Sequence, residues 1–134
     1  MATNITPKSL HFKKTFNSKI KWIFCSLLIV SVAYAETYIF VSHSMNDSAL
    51  QQYYKEAQAV GATLVMRGLI DNSFIKNKER AEFLRIGYDI HPELFEEYQV
   101  TVVPTIVKDA DGWIQKITGH LPLREALKIF DEGS

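Results

Sequence analysis

Residues 37–67, TYIFVSHSMNDSALQQYYKEAQAVGATLVMR, carry a strand, a helix and a second strand in one run. Thr37–Ser42 is β-branched and aromatic without alternation, which reads as a strand buried on both faces. Ser44 then offers a hydroxyl cap with Asp47 three residues on, a capping box with Asp in place of Glu or Gln. Leu50, Tyr53, Ala57 and Val60 recur at helical spacing, and Gly61 stops the helix as a C-cap does. Ala62–Arg67 reads as the second strand, ended by Gly68. Strand, helix, strand within about 30 residues is a βαβ unit, so the two strands pair in parallel through a right-handed crossover.

Downstream, Asp71–Ser73 reads as a loop or cap. Ile75–Ile86 follows as a helix, with Ile75, Phe83 and Ile86 inward and Lys76, Lys78, Glu79 and Arg80 in solvent. His91-Pro92 opens a short helix with proline at its first position and Leu94, Phe95 and Tyr98 inward. Val102–Lys108 is a strand that passes through Pro104, and Asp109–Gly112 turns it into a hairpin with Trp113–Ile117. Gly119 breaks that strand, and Pro122 starts a last helix bearing Leu123, Ala126, Leu127 and Phe130. The order predicts an α/β sandwich of about four strands with helices on both faces.

This is the order of the thioredoxin fold. The resemblance gains detail at Tyr98–Thr105, YQVTVVPT, which is similar to the thioredoxin-superfamily segment where a short helix leads through a valine to Val-Pro-Thr. It implies a cis Val103–Pro104 bond beside the loop Ser42–Met45. It also implies backbone groups before the proline that are open to an extended segment of another protein. The competing reading is that Pro104 only shapes a turn of the core.

Upstream lies WIFCSLLIVSVAYAE, residues 22–36, preceded by five lysines and no acidic residue. The apolar run is short of the roughly 20 residues that span a bilayer, and Ala33-Tyr34-Ala35 supplies a signal-peptidase site before Glu36. Residues 1–35 are therefore expected to be a cleaved signal peptide, with an uncleaved anchor as the alternative. Cys25, the one cysteine, leaves with that segment and is not placed like a lipoprotein cysteine. The remaining 36–134 is expected to be one exported domain without a membrane span. It holds all 15 acidic residues against 10 Lys and Arg, a net charge of −5. Such an acidic domain argues against nucleic-acid binding.

Where a thioredoxin-fold oxidoreductase carries Cys-x-x-Cys, this chain reads Ser42-His43-Ser44-Met45. Thiol–disulfide exchange needs a thiolate, so that chemistry is excluded after cleavage. A serine hydrolase is disfavoured, because neighbours in a strand-to-helix turn rarely reach nucleophile–base geometry and no G-x-S-x-G elbow exists. His43, His91 and His120 lack ligand-like spacing and read as solvated or capping residues. Asn46-Asp47-Ser48 fits a glycosylation acceptor only formally. Glu93, Glu96 and Glu97 read as a solvated helix face. No catalytic residue, cofactor or metal is expected.

The domain resembles, over nearly its whole length, the TrbC pilin-assembly family of F-type conjugative type IV secretion systems. Tyr38–Met45, Gly61–Leu69, Ser73-Phe74, Ile90-x-Pro92-x-Leu94-Phe95, Val100–Pro104 and Gly119…Leu123…Ala126-Leu127 carry the likeness in order. Departures fall at His43, Asn46 and His91, where the family more often has an aromatic, a proline and an acidic cap. The resemblance implies a non-catalytic periplasmic protein of a Gram-negative bacterium, needed for pilus assembly and DNA transfer and acting with a TraW-type protein. The chain ends directly after its last helix, so that partner is expected to be a separate polypeptide. A peptide-binding or chaperone-like module unrelated to conjugation, and an unrecognised enzyme, are the other two readings. By analogy with thioredoxin-fold proteins, His43, Ser44, Met45, Arg67, Val103 and Pro104 are expected to form the partner-binding surface. Met45 should lie at that surface, and Arg67 should be kept either for a partner or, the favoured alternative, for an internal carboxylate such as Asp71.

Overall fold

A five-stranded sheet forms the centre of the structure, a computed structural model that describes residues 34–134. The predicted signal segment, up to Ala33, lies outside the described residues. The strands are β1 (Ala35–Val41), β2 (Thr63–Met66), β3 (Asp89–Ile90), β4 (Thr105–Ala110) and β5 (Trp113–Thr118), in the spatial order β3-β2-β1-β4-β5. The helices are α1 (Asp47–Val60), α2 (Phe74–Leu84), α3 (Pro92–Glu97) and α4 (Leu123–Glu132). Among the described residues, no helix is long and apolar enough to cross a membrane.

β1 pairs in parallel with β2, from Tyr38 opposite Thr63 to Val41 opposite Met66, which closes the expected βαβ unit. Its other edge pairs antiparallel with β4, from Ala35 opposite Ala110 to Phe40 opposite Thr105. β5 returns along β4 through Asp111-Gly112, whose φ values of 53° and 89° suit the tight turn that demands positive φ twice. The additional strand is β3, only two residues long, with Asp89 opposite Val65 and Ile90 opposite Met66. Two residues are too few to leave a periodic signature in the sequence.

The period of two sends Ile39 and Val41 to one face of β1 and Phe40 to the other, and all three are at most 1% exposed. On the first face Leu64, Met66 and Ile106 meet Leu50 and Ala57 of α1 and Leu123, Ala126 and Phe130 of α4. On the second, Phe40, Val65 and Val107 meet Phe95, Tyr98 and Val100. Each large apolar side chain fully buried contributes about 1.5–3 kcal/mol. A core on both faces of the sheet therefore needs no disulfide.

Helix ends account for the local departures from expectation. Asn46, not Ser44, caps α1: its Oδ1 accepts from the Ser48 N–H at 2.8 Å. Asp47 sits in the first turn, where the helix dipole favours a carboxylate, and Gly61 closes the helix at φ 74°. The α4 N-terminus is capped from another helix, because Glu56 Oε2 of α1 accepts from the Leu123 N–H at 2.7 Å. α2 does not present the face expected of it. Ile75 and Phe83 are 72% and 81% exposed, and the inner face is Asn77, Arg80, Ala81 and Leu84. Two of those four are polar, so the apolar spacing marks the wrong side. Ile86 is buried as expected, but only after the chain leaves α2 through Arg85 at φ 56°.

Candidate functional site

The carboxyl ends of β1 and β2 and the loop before β4 converge on one cavity of about 440 Å³. In open α/β sheets this end of the strands is where ligands bind. β1 delivers Ser42 and His43, β2 delivers Arg67 and Gly68, and the loop before β4 delivers Thr101 and Val103. Val41, Met66, Phe95 and Val100 supply the apolar wall.

His43 is fixed rather than free. Its Nε2 lies 3.0 Å from the Gly68 carbonyl oxygen, which can only accept, so Nε2 carries the hydrogen. Its ring meets Tyr88 edge-to-face at 5.6 Å, and its Nδ1 is buried without a partner. Burial pushes its pKa below the ordinary histidine value, opposed in part by the bond to Gly68. The His43 carbonyl accepts from Arg80 Nη2 at 3.2 Å. The flanking hydroxyls bond each other, with Ser42 Oγ and Ser44 Oγ 2.9 Å apart. The imidazole thus turns toward β2 and not toward a serine.

Two cations hold the opposite wall. Arg67 Nη2 donates to the Val100 carbonyl at 3.1 Å, and its guanidinium stands 5.0 Å from the centre of the Phe95 ring. Lys116 Nζ donates to the carbonyls of Tyr98 and Gln99 at 3.1 and 3.2 Å. Buried Thr105 donates to the Val102 carbonyl at 2.6 Å and meets Thr118 Oγ1 at 3.0 Å. The Val103–Pro104 bond is cis, as the resemblance implies, and it lies beside the Ser42–His43 end of the first loop. Among the described residues, the Val103 N–H and C=O have no hydrogen-bond partner within the chain.

Of the six residues expected at a partner surface, His43, Arg67 and Val103 line this cavity together. Ser44 is exposed beyond its rim, held by Ser42. Met45 is half-buried and packs on the core below α1 instead of standing at the surface. Pro104 is fully buried, so its ring belongs to the core and only the backbone before it is accessible. The expected Arg67–Asp71 pair does not form. Asp71 lies in a one-turn 3-10 segment at φ 47°, and its carboxylate meets Lys76 at 2.7 Å. Arg80 and Phe95 also hold the site, by the His43 carbonyl and the Arg67 guanidinium respectively. An arginine on a helix read as solvated gives no sign of reaching a loop 37 residues away.

The sequence model of a family described as type-F conjugative transfer system pilin assembly protein matches residues 39–127. No curated protein matches the sequence. Among solved structures, StoA from Bacillus subtilis is similar at a TM-score of 0.53 and 15% identity, over 79% of this chain and 87% of that one. MTB dsbF is similar at 0.55 and 12%, over 77% and 83%. The N-terminal domain of PilB from N. meningitidis, in its reduced form, is similar at 0.53 and 14%, over 78% and 83%. At these identities the likeness shows the fold alone, which is thioredoxin-like.

Proposed function

This chain belongs to the family of type-F conjugative transfer system pilin assembly proteins, and from that membership we propose that it acts in the periplasm as a non-catalytic docking protein of the pilus-assembly machinery. The family match over residues 39–127 carries the assembly role. A non-catalytic role is supported by the loop that replaces a Cys-x-x-Cys, where the two serines bond each other and His43 bonds Gly68. Residues 36–134 contain no thiol. The signal-like segment supports export. Docking is supported by the cavity of His43, Arg67 and Val103, with backbone groups on Val103 that have no partner among the described residues. An extended segment of a TraW-type partner would pair with those groups as an added strand does.

The test is complementation of a donor strain lacking this gene, scored by pili, DNA transfer and co-purification of the TraW-type protein. Val103→Asp should lose all three while remaining folded by circular dichroism, and Glu97→Lys, on an exposed helix face, should lose none. A chain carrying both Ser42→Ala and Ser44→Ala should still assemble pili, whereas a serine-dependent enzyme would be silenced. Recovery of the protein in the cytoplasm would overturn the periplasmic reading.

A further inference from the structure

Arg67 is the cation that lines this cavity itself, since Lys116 spends its ammonium on the carbonyls of Tyr98 and Gln99 behind the wall. Arg80 is paired with Asp47 and Lys76 with Asp71, but among the described residues Arg67 has no carboxylate within ion-pair distance. Its guanidinium is nevertheless held in place, by the Val100 carbonyl on one side and the Phe95 ring on the other. Those contacts use one N–H and one face, and among the described residues nothing else accepts from the fork, which is open at the surface. No Asp or Glu lines the cavity, although the domain from Glu36 onward carries a net charge of −5. A pre-positioned fork beside an apolar wall is complementary to a carboxylate, which it can bind through two parallel hydrogen bonds.

Resting on the docking reading above, we infer that the groove takes an extended partner segment that lays a Glu or Asp side chain on Arg67. In an extended segment, residues two apart point the same way. The segment therefore has an acid-x-apolar pattern, with the apolar side chain against the half-buried Leu69 and Val103 at the mouth of the cavity and its backbone along Val103. The partner is thereby specified by chemistry: an acidic residue two positions from a branched apolar one in a strand-forming stretch.

Two peptide probes test this by NMR titration of the isotope-labelled protein: acetyl-Ser-Thr-Glu-Thr-Val-Thr-Ser-amide and its twin with Gln in place of Glu. The Glu probe should shift the amide signals of Arg67, Gly68 and Val103 and bind about tenfold more tightly than its twin. That preference should vanish in Arg67→Gln, survive in part in Arg67→Lys, and shrink in about 0.5 M salt. Equal binding of both probes at the same amides would overturn the carboxylate inference and leave the docking reading standing. No shift of the groove amides by either probe would overturn both. A third probe, the Gln peptide ended as a free acid, tests a chain terminus; if it alone binds, the side-chain assignment is wrong.

Discussion

Arg80 of α2 places Nη2 2.7 Å from Asp47 Oδ1 at the start of α1, and the same nitrogen reaches the His43 carbonyl at 3.2 Å. One side chain thus ties a surface helix to both the first loop of the site and the helix that follows it. The Asp47 side chain is half exposed, so the ion pair itself contributes little, and the carbonyl contact adds the rest. Arg80→Ala should lower stability by about 1–2 kcal/mol in urea denaturation. It should also speed hydrogen exchange at His43 and Ser44, and unchanged exchange there would show that the loop holds itself.

Two phenylalanines separate burial from mere apolarity. Phe40 is wholly buried and meets Phe95 edge-to-face at 4.8 Å, whereas Phe83 is 81% exposed. Phe40→Ala should cost about 3–5 kcal/mol, a large part of the stability of a domain this size. Phe83→Ala should stay within about 0.5 kcal/mol. Comparable losses would mean that α2 packs by the face its apolar spacing suggests.

Tyr38 donates to Glu36 at 2.6 Å, and that bond first, then burial, pushes its pKa up to about 12 from 10.0. A raised value means the fold favours the neutral phenol. Its contribution is complete below pH 10 and is lost as pH rises from 10 toward 12. Asp109 runs the other way: hydrogen bonds from Tyr98 and from the Gly112 N–H hold it below 3.8. Its contribution is present above that value and is lost as pH falls below it. Ultraviolet titration should show late ionisation of Tyr38, brought earlier by Glu36→Gln, and Asp109→Asn should flatten the acid limb of the stability curve.

Glu56 caps a helix it does not belong to. Glu56→Ala removes the acceptor for the Leu123 N–H, and should cost about 1 kcal/mol and fray the first turn of α4. Faster amide exchange at Leu123 and Arg124 is the readout. Glu56→Gln, which keeps an acceptor oxygen, should recover most of the loss.

The parts legible in the sequence are those with a local physical cause. The βαβ unit announced itself through a strand run, helical spacing and Gly61, and the hairpin through Asp111-Gly112. The Val-Pro-Thr segment placed the loop of the site by resemblance. What stayed hidden depends on partners distant in sequence. α2 turns its polar Arg80 inward because the His43 carbonyl and the Asp47 carboxylate await it there, and the Tyr88 hydroxyl donates to the backbone carbonyl of Asn77 beside it. Arg67 looked destined for nearby Asp71, but the positive φ of that residue sends its carboxylate to Lys76. Ser44 and Asn46 are both good caps by composition, and Ser44 is taken by Ser42.

β1 comes first in the described domain yet stands mid-sheet, paired with β2 on one side and with β4 on the other. A chain that arrives N-terminus first can close the parallel side early, but the antiparallel side must wait for residues some 65 positions away, since Phe40 faces Thr105. Until then Ile39, Phe40 and Val41 form an uncovered sticky edge, the kind of surface that invites aggregation. The last third of the chain therefore acts as a latch. Any lesion that delays or removes the β4–β5 hairpin strands the protein half-zipped, however sound its first half, and quality control rather than lost docking would then account for its disappearance from the cell.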